Sequence, residues 1–166
     1  MPSTIAPTVI DADNARFIAG GVSIIVSARN AGNRPDLVRA QGCRVARDRR
    51  TIRLFVVTAQ AVELLADLRQ NGRIAVVFTE PSSHRSLQLK GDDAAIVPLR
   101  RGDPARIAAY RDAMVTELAR IGVSEVMTRA LLAGATGEMV SIEFTLGTAF
   151  VQTPGPEAGM PLPQAS

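Results

Sequence analysis

The residues best suited to bind a ligand lie in one short segment, residues 81–91, which reads PSSHRSLQLKG. A polar loop leads into an alternating stretch, so Ser86, Gln88 and Lys90 share one face of a predicted strand and two leucines occupy the other. A donor-rich face backed by an apolar one suits an anionic, planar, heteroaromatic ligand, and Arg85 could pair bidentately with a phosphate. An ordinary strand with a solvated polar face explains the same spacing, so the pattern leaves both alternatives open.

A second polar stretch places Arg39 and Gln41 on one face of another predicted strand, followed by Cys43. A solvated or dimer-facing strand would show the same pattern. A lone cysteine among apolar residues is typical of a small buried side chain rather than a nucleophile. We expect His84, in a polar loop, to be a surface histidine.

Several classes of chemistry are excluded by what the chain lacks. One cysteine and one histidine rule out an internal disulfide, a cysteine-based zinc site and a multi-histidine metal site. The sequence contains no Walker loop, G-x-G-x-x-G, H-E-x-x-H or G-x-S-x-G motif. A catalytic triad would have to use His84, and no serine lies in a nucleophile elbow.

Length and charge indicate one small globular domain of 166 residues with a net charge of +3. Residues 1–101 hold 15 basic and 9 acidic side chains, a balance of +6 that an anionic ligand would use. Aromatic residues are 4% of the chain, too few for a base-stacking platform, so we expect no nucleic-acid partner. No apolar run reaches the ~18 residues of a membrane span, and residues 1–7 do not resemble a secretory signal. We therefore expect a cytoplasmic protein.

The periodicity predicts a mainly β fold with added helices, an α+β class. The predicted strands are residues 22–28, 37–47, 51–57, 74–78, 85–97 and 139–151, and the predicted helices are residues 11–19, 59–70, 103–121 and 124–133. Short turns between the first three strands indicate an antiparallel meander, in which Gly42 marks a bulge or a close backbone approach. Six mostly antiparallel strands form a small barrel covered by helices. Residues 1–151 form this domain, and residues 152–166 form a proline-rich C-terminal tail.

Three strings of the sequence resemble the pyridoxamine 5′-phosphate oxidase-like, FMN-binding split-barrel family. They are NGRIAVVF at residues 71–78, RSLQLKG at residues 85–91 and QTPGPEAG at residues 152–159. The resemblance covers roughly residues 15–160. It implies a six-stranded antiparallel split β-barrel with flanking helices, and a homodimer that holds two FMN molecules in clefts between the chains.

By position, the resemblance assigns eight cofactor-binding residues: Arg39, Gln41, Val57, Thr58, Gln60, Arg85, Ser86 and Gln88. One departure concerns the phosphate. True oxidases of the family carry a Ser-Arg-Lys-like clamp after the third strand, whereas this chain reads TAQAV at residues 58–62, without a positive charge. The substrate-binding arginine and histidine of the vitamin B6 oxidases also have no match in the tail, so the resemblance does not extend to the B6 reaction.

The resemblance thus implies a homodimeric FMN flavoprotein that acts as an oxidoreductase on a small substrate, with unassigned catalytic residues and no metal. Such a protein passes electrons or a hydride between a donor, such as a reduced nicotinamide, and that substrate. The alternative is a non-enzymatic module on the same fold that binds haem or another ligand. In that case His84, beside Arg85, is the candidate haem ligand.

Overall fold

The computed structural model describes residues 8–133 and 137–163, and this part of the chain contains four α-helices and nine β-strands. The helices are α1 (Ala12–Ile18), α2 (Val62–Asn71), α3 (Asp103–Ala119) and α4 (Glu125–Ala133). The strands are β1 (Ser23–Arg29), β2 (Pro35–Arg39), β3 (Cys43–Val45), β4 (Thr51–Val57), β5 (Ile74–Thr79), β6 (Ser86–Gly91), β7 (Ala95–Val97), β8 (Met139–Thr145) and β9 (Thr148–Val151). A 3-10 turn over Thr58–Gln60 precedes α2. Two terminal segments lie outside the described residues. One is residues 1–7, for which we predicted that they are not a secretory signal, and the other is residues 164–166 of the tail.

The strands form two antiparallel sheets, which confirms the predicted α+β class. One sheet has five strands in the order β2-β1-β5-β6-β9, and the other has four in the order β3-β4-β8-β7. The predicted six-stranded barrel is not confirmed, because the strands of the described residues pair as two separate sheets. None of the helices described is long and apolar enough to cross a membrane.

The difference in strand number has one cause. The predicted strands 37–47, 85–97 and 139–151 each divide into two, and each pair of halves belongs to different sheets: β2 and β3, β6 and β7, β8 and β9. Three long stretches of chain therefore pass from one sheet to the other and tie the two sheets together.

A glycine lies at or beside each of these crossings. Gly42 has a φ of 137°, which L side chains rarely adopt, and a β-carbon there would meet Phe55 at 3.2 Å. At the other two crossings, Gly147 N donates to the carbonyl oxygen of Lys90 at 2.8 Å, next to Gly91. The bulge or close approach predicted at Gly42 is confirmed as a sheet-to-sheet crossing.

One apolar core is built from the alternating inward residues of both sheets, together with α2 and parts of α1 and α3. The alternation that predicted the strands gives this burial, since successive side chains point to opposite faces of a sheet. The fully buried members include Ile24, Val26, Ile52, Leu54, Val76, Phe78, Leu89 and Ile142, and α2 adds Leu64, Leu65 and Leu68. The opposite face of the five-stranded sheet is left to carry polar side chains.

The tail folds back along β9. Gly159 N donates to the carbonyl oxygen of Val151 at 2.7 Å, and Leu162 N donates to that of Ala149 at 2.9 Å. At its start, Thr153 Oγ1 accepts a hydrogen bond from Ser86 N at 2.9 Å. The proline-rich segment therefore covers the exposed edge of β9, which would otherwise present unpaired backbone groups.

Candidate functional site

A row of polar side chains crosses one end of the five-stranded sheet, on the face opposite the core. Ser23, Thr79 and Ser86 are register partners on the neighbouring strands β1, β5 and β6. The Ser86 hydroxyl lies 2.9 Å from Thr79 Oγ1 and 3.0 Å from the carbonyl oxygen of His84. Arg39 joins the row, because its Nη1 donates to Ser23 Oγ at 3.0 Å. The row offers three hydroxyls and one guanidinium on a single surface.

The next row along the same face contains Arg39 and Gln88. In register, Arg39 faces Ile25, Ile25 faces Val77, and Val77 faces Gln88. Strands in a sheet are about 4.8 Å apart, so the backbones of Arg39 and Gln88 are roughly 14 Å apart. Gln152 Nε2 lies 3.4 Å from Gln88 Oε1, at the start of the tail. A polar group thus stands at each side of an apolar strip, a surface that suits a flat ring with polar edges.

The crossing after Arg39 brings Gln41 to the other sheet. Ala40 N still donates to Ile24 on β1, whereas Gln41 N donates to the carbonyl oxygen of Phe55 on β4 at 2.7 Å. The Gln41 side chain is 1% exposed, and its Oε1 has no hydrogen-bond partner within the described part of the chain. An unpaired buried acceptor costs about 1–3 kcal/mol. A ligand N–H group would reach this acceptor only after the Gln41 side chain turned out of the core.

The end of β4 supplies only neutral groups. Val57 is buried in the core, and Thr58 begins the 3-10 turn with a buried Oγ1 that lacks a hydrogen-bond partner among the described residues. At the start of α2, Ala61 provides no side-chain cap, and Glu63 places an acidic group in the first turn. A phosphate here would meet backbone N–H groups and hydroxyls, with no cation in residues 58–63.

Arg85 is engaged by α1. Its Nη2 donates to Asn14 Oδ1 at 2.8 Å, and its guanidinium lies 4.2 Å from the ring centroid of Phe17. His84 lies on the exposed turn before β6 with a φ of 61°. The phosphate contact predicted for Arg85 stays a prediction, and it would require the guanidinium to leave α1.

Two buried titratable groups lie behind the crossing. Tyr110 on α3 donates through its hydroxyl to the carbonyl oxygen of Val22 at 2.8 Å, and burial raises its pKa despite the nearby Arg39 charge. Burial also raises the pKa of the Cys43 thiol to about 12, against the opposing charge of Arg106. The thiol is therefore protonated at neutral pH, which supports the interpretation of Cys43 as a small apolar core residue.

The eight predicted residues therefore divide into groups. Three of them, Arg39, Ser86 and Gln88, share the outer face of one sheet. Gln41 lies at the crossing and Thr58 follows the end of β4, whereas Val57 lies in the core, Gln60 is exposed and Arg85 contacts α1. Whether any of the eight binds a cofactor stays a prediction.

Sequence reasoning missed Ser23, Thr79 and Gln152. The two hydroxyl residues alternate with the core positions of β1 and β5, so strand alternation could have placed them on the outer face. Their alignment with Ser86 depends on the register between strands. Gln152 could not be found in this way, because its contact depends on where the tail lies.

Comparison with known proteins identifies the fold. No protein-family profile matches the chain, and no curated protein matches it in sequence. Similar solved structures include HupZ from Group A Streptococcus, with a TM-score of 0.54 and 16% identity, over 90% of this chain and 100% of that one. A putative pyridoxamine 5′-phosphate oxidase from Lactobacillus delbrueckii has a TM-score of 0.53 and 11% identity, over 88% and 97% of the two chains.

An F420 reductase is also similar, with a TM-score of 0.52 and 13% identity, over 84% of this chain and 98% of that one. At these identities the likeness establishes the fold alone. The chain has the fold of the pyridoxamine 5′-phosphate oxidase-like proteins, as the sequence resemblance indicated.

Proposed function

We propose that the protein is an FMN-binding flavoprotein that acts as an oxidoreductase on a small substrate. The observation that carries the proposal is the sheet-to-sheet crossing: Arg39 places its guanidinium beside Ser23, and Gln41, two residues further along the chain, has a buried Oε1 without a partner among the described residues. The names of two similar structures, a putative pyridoxamine 5′-phosphate oxidase and an F420 reductase, favour redox chemistry on this fold.

The polar groups fit the ring system of a flavin. Once its side chain turned outward, Gln41 Oε1 would accept an N–H from the ring edge, which would satisfy an acceptor that is otherwise buried without a partner. Arg39, held in place by Ser23, would put positive charge beside the ring and stabilise its reduced, anionic form. The flavin, when bound, supplies the hydride and electron transfer, and the protein orients it and tunes its potential.

The groups near α2 fit the phosphate of FMN less well. Thr58 and the backbone N–H groups at the start of α2 are neutral donors, and Glu63 adds negative charge nearby. Neutral hydrogen bonds contribute about 0.5–1.5 kcal/mol each, and charge-assisted ones about twice as much. We therefore propose that FMN is held mainly through its ring and dissociates readily. The B6 oxidase reaction is not part of this proposal.

We also propose that two copies of the chain form a homodimer through the outer face of the five-stranded sheet. Leu37 on β2 is 65% exposed there, beside the half-buried Ile25 and Val77. A second copy would cover this apolar strip and enclose the polar rows that lie on the same face. The candidate site would then be completed by the partner.

The test is a flavin titration with a matched control. Apo-protein is titrated with FMN and with riboflavin, in the natural sequence and in Arg39→Met and Arg34→Met variants, with flavin fluorescence as the signal. Arg34 is an exposed arginine of the turn before β2, so its loss matches the charge change away from the site. We expect Arg39→Met to weaken both flavins about tenfold or more, since hydrogen bonds to charged groups contribute about 1.5–3 kcal/mol.

Two results would overturn the proposal. One is the absence of flavin binding at high micromolar concentration. The other is an Arg39→Met variant that binds both flavins as tightly as Arg34→Met. A protein that purifies red, with haem absorption bands and no flavin binding, would favour the cofactor-module alternative, and a His84→Ala variant would then test the ligand.

A further inference from the structure

A second cleft opens at the other end of the five-stranded sheet, where β1 ends, β5 begins and β6 ends. Its volume is about 430 Å³, and Arg29, Arg73 and Lys90 are among the residues that line it. A neighbouring cavity of about 310 Å³ shares Arg29, Asn33 and Arg73 with it. Ser23 and Arg29 are the two ends of β1, so this cleft lies at the end of the sheet away from Ser23 and adjoins the row of Gln88 through Lys90.

The cleft carries uncompensated positive charge. Three cationic side chains line it against one acid, Asp92, and none of the three forms an ion pair within the described part of the chain. Some arginines elsewhere in the same part do form ion pairs, such as Arg53 with Asp103 and Arg129 with Glu125. Three cationic side chains therefore meet at one cavity, with a single acid beside them.

The backbone that carries the two arginines is held by one side chain. Asn71 Nδ2 donates to the carbonyl oxygen of Arg29 at 2.8 Å, and Asn71 Oδ1 accepts from Arg73 N at 2.8 Å. The Arg29 guanidinium is oriented by Asn33, whose Oδ1 accepts from Nη1 at 2.7 Å. Fixing cationic groups before a ligand arrives reduces the entropy lost on binding. These bonds leave the remaining guanidinium N–H groups available to a ligand.

We propose that this cleft binds a phosphorylated small molecule of about mononucleotide size. A guanidinium presents a planar set of N–H donors that can form two parallel hydrogen bonds to a phosphate. The two guanidinium groups of Arg29 and Arg73, together with the ammonium group of Lys90, therefore suit a dianion. The volume falls within the roughly 300–1,000 Å³ of small-molecule sites. The wall between the cations is apolar, from Ala28, Pro35, Ile74 and Ala75, and would contact the uncharged body of the ligand.

The probe is adenosine 5′-monophosphate. It is titrated into the purified protein, whatever its oligomeric state, and the heat of binding is measured by calorimetry. Adenosine, which lacks the phosphate, and inorganic phosphate, which lacks the body, are the comparison ligands. We expect adenosine 5′-monophosphate to bind at least tenfold more tightly than either. Riboflavin, added at saturation, should leave this affinity unchanged, because it lacks a phosphate and its proposed site lies at the other end of β1.

Arg73→Gln is the test variant and Arg34→Gln the matched control. The Arg73 side chain makes no hydrogen bond or ion pair within the described residues, so its loss should leave the fold intact, which thermal unfolding checks. Arg34 lies on the neighbouring turn and lines neither cavity. We expect Arg73→Gln to weaken the nucleotide by about ten- to a hundredfold and Arg34→Gln by less than threefold.

Three results would overturn the proposal. The first is no heat of binding for the nucleotide at millimolar concentration. The second is an equal loss in both variants, which would indicate a diffuse charge effect. The third is preference for an oligonucleotide with affinity that rises with its length, which would make the cleft part of a nucleic-acid surface.

Discussion

The guanidinium of Arg53 donates to the carboxylate of Asp103 at 2.6 Å, and both side chains are almost completely buried. Arg53 lies on β4 and Asp103 begins α3, so the pair fixes the helix against the four-stranded sheet. Ser141 and Glu143 on β8 also accept hydrogen bonds from Arg53. Tyr110 of α3 packs against Gly42. By fixing α3, this network therefore also stabilises the crossing at the candidate site.

Breaking this pair should be costly. We expect Asp103→Ala to lower the free energy of unfolding by up to about 3–5 kcal/mol, because it leaves the buried Arg53 charge with the partly exposed Glu143 as its only carboxylate partner among the described residues. Urea unfolding measures the change. Asp112→Ala is the control, since Asp112 pairs with Arg129 where both side chains are at least half exposed, and such pairs contribute about 0–1 kcal/mol. Equal losses in the two variants would contradict a structural role for the buried pair.

Asp67 on α2 should destabilise the fold at neutral pH. Its burial, and then the carboxylate of Asp36, raise its pKa above the ordinary value of about 3.9. A raised carboxyl pKa means that the folded state binds the proton more tightly than the unfolded state does. The contribution of Asp67 to stability is therefore highest below its pKa in the unfolded state, and it falls as the pH rises through its pKa in the folded state. We expect Asp67→Asn to stabilise the protein at about pH 7 relative to its effect at about pH 4.

The measurement is chemical unfolding of both proteins at the two pH values. Asp13→Asn is the matched control, because Asp13 is exposed at the start of α1 and is not part of the pair formed by Asp67 and Asp36. A stability difference between Asp67→Asn and the natural protein that does not change with pH would contradict the assignment.

Much of the fold follows from local pattern. Helix boundaries were predicted within a few residues, because local signals such as the Asp11 cap and Gly72 act over one turn. The division of three long strands was not predicted, since alternation continues through a bend and only the second sheet decides where pairing changes. At the site, alternation placed Arg39 and Gln88 on strand faces. The direction of the Arg85 side chain depends on Asn14, 71 residues away, which no local pattern encodes.

The crossing after β6 offers a direct test of this bending. A β-carbon on Gly91 would lie 2.6 Å from the Phe144 ring and 2.7 Å from the carbonyl oxygen of Thr145. We expect Gly91→Ala to destabilise the protein by about 1–3 kcal/mol, the usual cost of overpacking a filled core. At Gly20 the added carbon would meet backbone oxygens at 3.4 Å or more, so Gly20→Ala should change stability much less in the same thermal unfolding experiment.

The proposed homodimer places Leu37 in the interface. We expect Leu37→Glu to shift the mass measured by light scattering from twice 17.6 kDa towards 17.6 kDa at micromolar concentration, because it buries a charge against the apolar strip. Val126→Glu is the control, since Val126 is an exposed apolar residue on α4, away from this face. A monomeric natural protein, or dissociation by Val126→Glu alone, would contradict this interface.

The last prediction concerns the phosphate of FMN. Because the 3-10 turn before α2 lacks a cation, adding one there should tighten FMN binding and leave riboflavin binding unchanged. Ala59 is the suitable position, since it is exposed, whereas Ala61 is buried and a lysine there would bury its charge.

We expect Ala59→Lys to improve the FMN affinity about three- to tenfold at low salt. The gain should shrink at 0.5 M salt, because exposed charges are screened beyond about 3–10 Å. Ala59→Gln, similar in size and uncharged, is the matched control. A fluorescence titration of all three proteins with both flavins gives the comparison.

Two results would contradict this prediction: a natural protein that already prefers FMN over riboflavin by more than about a thousandfold, or an Ala59→Lys variant whose affinity improves equally for both flavins. Either result would mean that a charged group elsewhere holds the phosphate. Arg39, which lies in the polar row, and then Arg85, which would have to leave α1, would be the next residues to replace, since they carry the positive charge that residues 58–63 lack.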